Sequence, residues 1–438
     1  MKTLIQGGTL VTMDSERRTF RGDLLIDGRY IKKIAKKIDP IKENVKKIIS
    51  AENKFVIPGL IQAHTHLVQT LFRGYADDLP LLEWLKKKIW PMEFHHNKKS
   101  IRASAKISLL EMQLLGTTSI LDMATVHLTN EVLEEVEHSN MRYWGGKCLM
   151  DYPNSSGPLY EPTGEALKET EELITEWHQK TDLINYAICP RFAVACTDEL
   201  LRASSDLQKQ YNVFLHTHAS ESLEEIEVVR KRTGFGNIDY LDHLGLLNSK
   251  SVIIHGVHMT DDELMKMIAN QTPLVHCPSS NLKLASGVAP IEMYLEKGLK
   301  VGLGADGAPC NNTMDPFMEM RLAALIQKPL FGPEALPAEK AFEMATLGGA
   351  KVLCEEDRLG SLEEGKLADI VTVDREHPSV ATVENPYSAL VYSCSGRDVN
   401  DVFINGKLIV RNKKHKLYDR DEVIAESKKQ LKRVLSKI

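Results

Sequence analysis

Two histidines one residue apart close the apolar run Val56-Ile57-Pro58-Gly59-Leu60-Ile61-Gln62-Ala63-His64-Thr65-His66. In an extended strand residues i and i+2 face the same way, so His64 and His66 present two imidazoles to one point. Alone, such a pair is more often a pair of partly exposed strand histidines than a metal site. Later apolar runs end in further donors: His216 and His218 after Val213-Phe214-Leu215, His255 after Ser251-Val252-Ile253-Ile254, and Asp306 after Val301-Gly302-Leu303-Gly304-Ala305. Histidine nitrogens with one carboxylate oxygen suit zinc or another borderline divalent ion. Four separate run ends carrying donors argue for one shared centre rather than chance.

Those donors need elements that bring distant positions together. From Val56 onward, apolar strands alternate with amphipathic helices, the pattern of a parallel sheet with crossover helices. The strand ending at His64 is followed by a long helical region, Leu79 to Leu115. Further strands are expected at Thr117–Asp122, Met141–Met150, Ile184–Cys189, Val213–His218, Ser251–His255, Thr272–His276 and Lys300–Asp306. Eight strands in βα order predict a closed α/β barrel, whose active sites lie at the carboxyl ends of the strands, where each donor sits.

The two ends of the chain read differently. Residues 1 to about 55 form short strands, with Asp27-Gly28 as a hairpin turn, and strand grammar returns after about residue 360, with Asn405-Gly406 as a second turn. The two ends are expected to pair into one small β-sandwich. The division read from sequence is 1–56 for the first part of the sandwich, 57–360 for the barrel, and 361–438 for the second part with a C-terminal helix.

At 438 residues the chain exceeds one ordinary core, and 43% hydrophobic with 26% charged residues is the composition of a globular protein. A formal net charge of −5 offers no field for nucleic acid, and the lysines from Lys428 to Lys437, interleaved with apolar residues, read as a solvated helix face. Seven scattered cysteines without a CxxC pair point to reduced thiols. With no secretory leader read at the start and no apolar run approaching the roughly 20 residues of a membrane span, a cytoplasmic protein without membrane partners is expected.

Six stretches carry a resemblance that covers nearly the whole chain: Pro58-Gly59-Leu60-Ile61-x-x-His64-x-His66, His218-Ala219-Ser220-Glu221, His255-Gly256-Val257-His258, Ser280-Asn281-Leu282-Lys283-Leu284-Ala285-Ser286-Gly287, Leu303-Gly304-Ala305-Asp306-Gly307, and Gly360-Ser361-Leu362-Glu363-x-Gly365-Lys366-x-Ala368-Asp369. The chain resembles the amidohydrolase superfamily, in its deaminase and chlorohydrolase branch. The resemblance implies a (β/α)8 barrel with one divalent metal ion, Zn2+ foremost and Fe2+ or Mn2+ as alternatives, held by His64, His66, His218 and Asp306. Two-metal relatives carry a lysine at the end of the fourth strand; here that strand ends Cys189-Pro190-Arg191-Phe192, which fits a single metal. Glu221, His255 and Asp306 take the proton-handling roles. His216 is assigned to packing or to support of the ligands. His276 and His258 are read the same way, and His95, His96, His127 and His243 as surface residues.

For the substrate, Trp84 and Glu93 resemble the purine wall and the ribose-binding carboxylate of deaminases acting on 5'-modified adenosines. Gln69, Arg191 and Phe192 resemble base-contacting groups of guanine deaminases, and Glu221 contacts the ring in both. The run Gly307-Ala308-Pro309-Cys310-Asn311-Asn312 departs from guanine deaminases and resembles the adenosine-type and triazine chlorohydrolase-like members. Deamination of 5'-deoxyadenosine, 5'-methylthioadenosine or S-adenosylhomocysteine is therefore expected, with guanine deamination second, triazine-type hydrolysis third and a non-catalytic structural homologue last. The partner expected is a nucleoside or nucleobase, with homodimer or homotetramer assembly implied by the family.

Overall fold

A computed structural model describes residues 2–438. Its β-structure falls into two nine-stranded sheets. The middle of the chain supplies eight parallel strands in sequence order: Leu60–Thr65, Thr117–Met123, Arg142–Gly146, Ile184–Pro190, Phe214–Ala219, Ser251–His255, Leu274–His276 and Val301–Leu303. Nearly every residue of these strands is buried, as expected of a parallel sheet covered by helices on one side and filled on the other. The amide of Asp306 donates to the carbonyl of His64 at 3.1 Å and so joins the eighth strand end to the first. The barrel anticipated from the strand count is thereby closed.

The run Val56–His66 spans two sheets rather than one. Lys54–Pro58 lies in the sheet built from the chain ends, pairing with Lys2–Val11 and Ile370–Asp374, and Leu60–Thr65 begins the barrel. Gly59 is the crossing point. A Cβ there would come 2.1 Å from Thr118 Oγ1, so the backbone of the first barrel strand can approach the second only because this side chain is missing.

The third strand breaks after Gly146 and resumes as Cys148–Leu149. Between the pieces Lys147 is fully buried, its Nζ at 2.6 Å from Glu169 Oε2 and 3.0 Å from Glu161 Oε2. The helical region expected from Leu79 to Leu115 is interrupted. A helical stretch over residues 81–94 carries a π-turn at Leu85–Ile89, and a separate helix, Lys98–Leu114, starts behind a capping box in which Ser100 N donates to Asn97 Oδ1 at 2.9 Å.

The end sheet runs without interruption from Lys414–His415 through Lys407–Arg411, Val399–Ile404, Ile370–Asp374, Lys54–Pro58, Lys2–Val11 and Thr19–Asp27 to Tyr30–Ala35, with Lys47–Ser50 paired to Lys2–Val11. The expected sandwich is this one sheet folded back on itself over Ile5, Leu24, Val56, Ile370 and Phe403. Its far edge returns to the segment before Ile370, where Ile31 N donates to Lys366 O at 2.8 Å. Both predicted hairpin turns adopt positive φ, at Gly28 and at Asn405-Gly406, and they meet: a Cβ on Gly406 would lie 2.0 Å from Gly28 O.

The two halves are fastened by Arg142, from the third barrel strand, which grips Asp369 through Nε–Oδ2 at 2.9 Å and Nη2–Oδ1 at 3.0 Å with both side chains buried. The C-terminal helix Arg420–Leu435 turns Val423, Ser427, Gln430 and Val434 inward and its lysines outward. Among the described residues no helix is long and apolar enough to cross a membrane. All seven cysteines are free.

Candidate active site

The first barrel strand delivers His64 and His66, the fifth His218, and the turn after the eighth Asp306. One donor atom from each of these four lies within 4.8 Å of the other three. Their remaining nitrogens are already committed. His66 Nδ1 sits 2.9 Å from Met123 O and His218 Nδ1 2.6 Å from Arg191 O. A carbonyl can only accept, so both Nδ1 atoms carry the hydrogen and both Nε2 lone pairs face the centre. Those two Nε2 atoms are 3.3 Å apart, and Asp306 Oδ1 lies 3.2 Å from His64 Nε2.

His64 Nδ1 is 2.9 Å from His216 Nε2, and His64 Nε2 is buried without a hydrogen-bond partner. A buried nitrogen left unpaired among three other donors fits a divalent ion, since it is otherwise a desolvation cost with no return. Burial holds His66 down at about 3 and keeps His218 well below the ordinary histidine range, so both are neutral ligands. Burial pushes the other way on Asp306, yet the close approach of His64 Nε2 to its Oδ1 holds it well below the usual carboxylate range. His216 thus fixes the ring of His64.

His255 and Glu221 complete the cluster. His255 Nε2 is 3.3 Å from Glu221 Oε2 and 3.9 Å from Asp306 Oδ2, and its Nδ1 is 2.9 Å from Asn281 Oδ1. Three residues here sit at positive φ without being glycine: Ser220 at 54°, His255 at 74° and Asp306 at 62°. Such backbone persists where surrounding structure enforces it, and it aims these side chains across the barrel mouth. Glu221 is buried, whereas Glu224 and Glu227 of the acidic stretch that follows it are exposed. Burial, reinforced by Asp306, raises its carboxyl well above the usual range, and Ser286 Oγ reaches Glu221 Oε1 at 3.3 Å. Glu225 is also buried and accepts from the Glu221 amide at 2.8 Å, an anchor the charge pattern concealed. Asn281 and Ser286 lie inside a quoted motif, which was the available signal for them.

The cavity beside these residues is lined by Gln69, Trp84, Arg191, Phe192 and Glu221, all named from sequence, together with Leu81, Leu85 and Leu284. Glu93 is placed elsewhere. It is fully buried behind the wall, accepting from Gln69 Nε2 at 2.8 Å and Thr125 Oγ1 at 2.8 Å and pairing with Arg191 Nη1 at 3.1 Å. It is not among the lining residues. His96, half-buried, bridges Val68 O at 2.8 Å and Ser100 Oγ at 3.0 Å, and burial pulls it to about 4. His258 donates to Ser286 O at 2.6 Å, His276 is buried, His95 and His127 are half-buried and His243 is exposed.

Residues 55–409 match the amidohydrolase family, and the chain belongs to it. It is 33% identical over 434 residues to a 5-methylthioadenosine/S-adenosylhomocysteine deaminase of Bacillus cytotoxicus, covering 98% of both chains. It is 36% identical over 384 residues to a 5'-deoxyadenosine deaminase of Methanosphaera stadtmanae, covering 87% of this chain and 88% of that one. In three dimensions it superposes on the crystal structure of a zinc-bound adenosine deaminase from Xanthomonas campestris with a TM-score of 0.92, at 27% identity, covering 99% and 98% of the two chains.

Proposed function

We propose that this protein is a metal-dependent aminohydrolase that replaces the 6-amino group of a 5'-modified adenosine with oxygen, giving the inosine analogue and ammonia. The observation that carries the reading is Glu221: a buried carboxyl held protonated, 3.3 Å from His255 and on the wall of a cavity whose other end is the His64, His66, His218 and Asp306 cluster. The names of the full-length relatives support the substrate class. His64, His66, His218 and Asp306 would hold the ion, zinc foremost. Bound there, a divalent cation supplies a Lewis acid that makes water a nucleophile near neutral pH.

The remaining work falls to side chains. Protonated Glu221 donates to a ring nitrogen, which makes the neighbouring C6 electrophilic. The proton that water gives up to His255 crosses their 3.3 Å contact to Glu221 and goes on to the departing amine, and the remaining hydroxyl proton restores Glu221 as the C6 carbonyl forms. His255, with Asn281 fixing its Nδ1–H, keeps Nε2 turned toward Asp306 and Glu221 as an acceptor for the proton that water loses. Trp84 and Phe192 wall the purine, and the apolar lining keeps bulk water out. A cytoplasmic location, a place in purine salvage and a homodimer or homotetramer belong to the same reading, and light scattering of the purified protein reads the last.

One arrangement favours a second reading. Gln69 and Arg191 line the cavity while Glu93 stands behind them, which suits recognition of a free base such as guanine better than a clamp on ribose hydroxyls. Ammonia release by zinc-loaded protein from adenosine, 5'-deoxyadenosine, 5'-methylthioadenosine, adenine, guanine and a chlorotriazine separates them. Turnover of the 5'-modified adenosines well above the free bases is expected. Preference for guanine would overturn the adenosine reading and leave the metal site standing.

A further inference from the structure

Resting on the 5'-modified adenosine reading, we infer that the site selects an adenosine whose 5' carbon carries a short, uncharged group and rejects one extended by an amino-acid tail. The argument is about where a carboxylate could find a partner. Arg191 is the only lysine or arginine lining the cavity among the described residues, and both arms of its guanidinium are turned onto Glu93, with Nη1–Oε2 at 3.1 Å and Nη2–Oε1 at 3.3 Å. The pair is buried and internally neutral.

Lys283, beside the lining residue Leu284, is consumed as well. Its three donors go to Asp77 Oδ1, to Pro309 O at 2.8 Å and to Asn312 Oδ1, so it ties three loops together at the barrel mouth. What faces the cavity away from the metal ligands is Leu81, Leu85 and Leu284 with Trp84 and Phe192. Neither carboxyl that lines it, Glu221 or Asp306, can serve a substrate carboxylate as a counter-charge. A substrate carboxylate entering this space trades water for hydrocarbon without gaining a counter-charge, which is the costly direction.

The test compares kcat/KM of the zinc-loaded, full-length protein for 5'-methylthioadenosine, 5'-butylthioadenosine and S-adenosylhomocysteine, with guanine as control. The butylthio compound has a tail of similar reach without charge. The expected result is a loss on the order of 100-fold for S-adenosylhomocysteine relative to 5'-methylthioadenosine, the scale of a buried charge left without a partner, with the butylthio compound in between. Equal turnover of 5'-methylthioadenosine and S-adenosylhomocysteine would overturn the inference while keeping the adenosine reading. Equal losses for butylthio and S-adenosylhomocysteine would assign the selection to length and remove the charge argument. Turnover of guanine with none of the three thioethers would remove the adenosine reading and this inference with it.

Discussion

At the scale of single residues, the site works by committing every nitrogen and oxygen that must not react. Met123 and Arg191 lend carbonyls to His66 and His218, His216 lends Nε2 to His64, and Asn281 lends Oδ1 to His255. Replacing His216→Phe removes the partner of His64 Nδ1 and leaves the tautomer unfixed. Zinc affinity, read by competition with a chromogenic chelator, is expected to fall by about 10–100-fold, the usual effect of losing a group that orients a ligand. Glu221→Gln keeps the shape of the side chain and removes the proton it would carry. Ammonia release is expected to drop by roughly 10²–10⁴-fold with zinc content unchanged; a variant that lost zinc as well would show Glu221 to be part of the metal cradle instead.

At the scale of elements, precision comes from close approach of the first and last barrel strands. A Cβ on Gly304 would lie 2.8 Å from His64 O and 2.9 Å from His64 N, backbone atoms that cannot swing aside. Gly304→Ala is therefore expected to cost about 1–3 kcal/mol of stability through overpacking and to weaken zinc binding, both measurable by thermal melts with and without metal. A melt identical to that of the parent protein would mean the strands can separate without disturbing the site. The barrel strands were legible from sequence because fully buried parallel strands read as apolar runs, and the ligands because each run ends in one. The change of sheet at Gly59 was hidden inside one such run, since a strand that leaves one sheet for another keeps its hydrophobicity. The setting of Glu93 and His96 was hidden for a related reason: the groups that hold them, Arg191, Gln69 and Thr125 for the one and Val68 for the other, come from distant positions that a local pattern does not show.

At the scale of the whole molecule, the barrel and the end sheet are held in one relation by the buried Arg142–Asp369 pair, with Asn405 N adding a third bond to Asp369 Oδ1 at 2.6 Å. Asp369→Ala would strand the guanidinium of Arg142. A loss of about 3–5 kcal/mol in chemical denaturation is expected, as for other buried pairs broken from one side; a loss below ~1 kcal/mol would show that Arg142 finds water or another acceptor. Stability also depends on pH through groups throughout the molecule. Burial pulls His66 and His276 to about 3 and His96 and His255 to about 4, and it pushes Asp122, Glu225 and Glu319 up to about 7. Below the histidine reference value of 6.5 the unfolded chain takes up protons that the folded one refuses, so the histidine contribution falls as pH falls toward 4. The carboxyls act oppositely. Folded protein keeps protons that the unfolded chain has shed, so their contribution is lost as pH rises toward 7. For chelator-treated protein the melting temperature is expected to peak near pH 6.5, and a steady rise from pH 5 to 8 would contradict this balance. The pairing of Lys54–Pro58 with Ile370–Asp374 has a further consequence, for synthesis. Partner residues Ile57 and Val371 leave the ribosome far apart in time, tens of seconds at roughly 5–20 residues per second. Throughout that interval the barrel can assemble while one side of Lys54–Pro58 stays an open, apolar edge of the kind that recruits other chains, so a nascent or truncated protein ending before residue 370 carries its aggregation hazard at the opposite end from the cut.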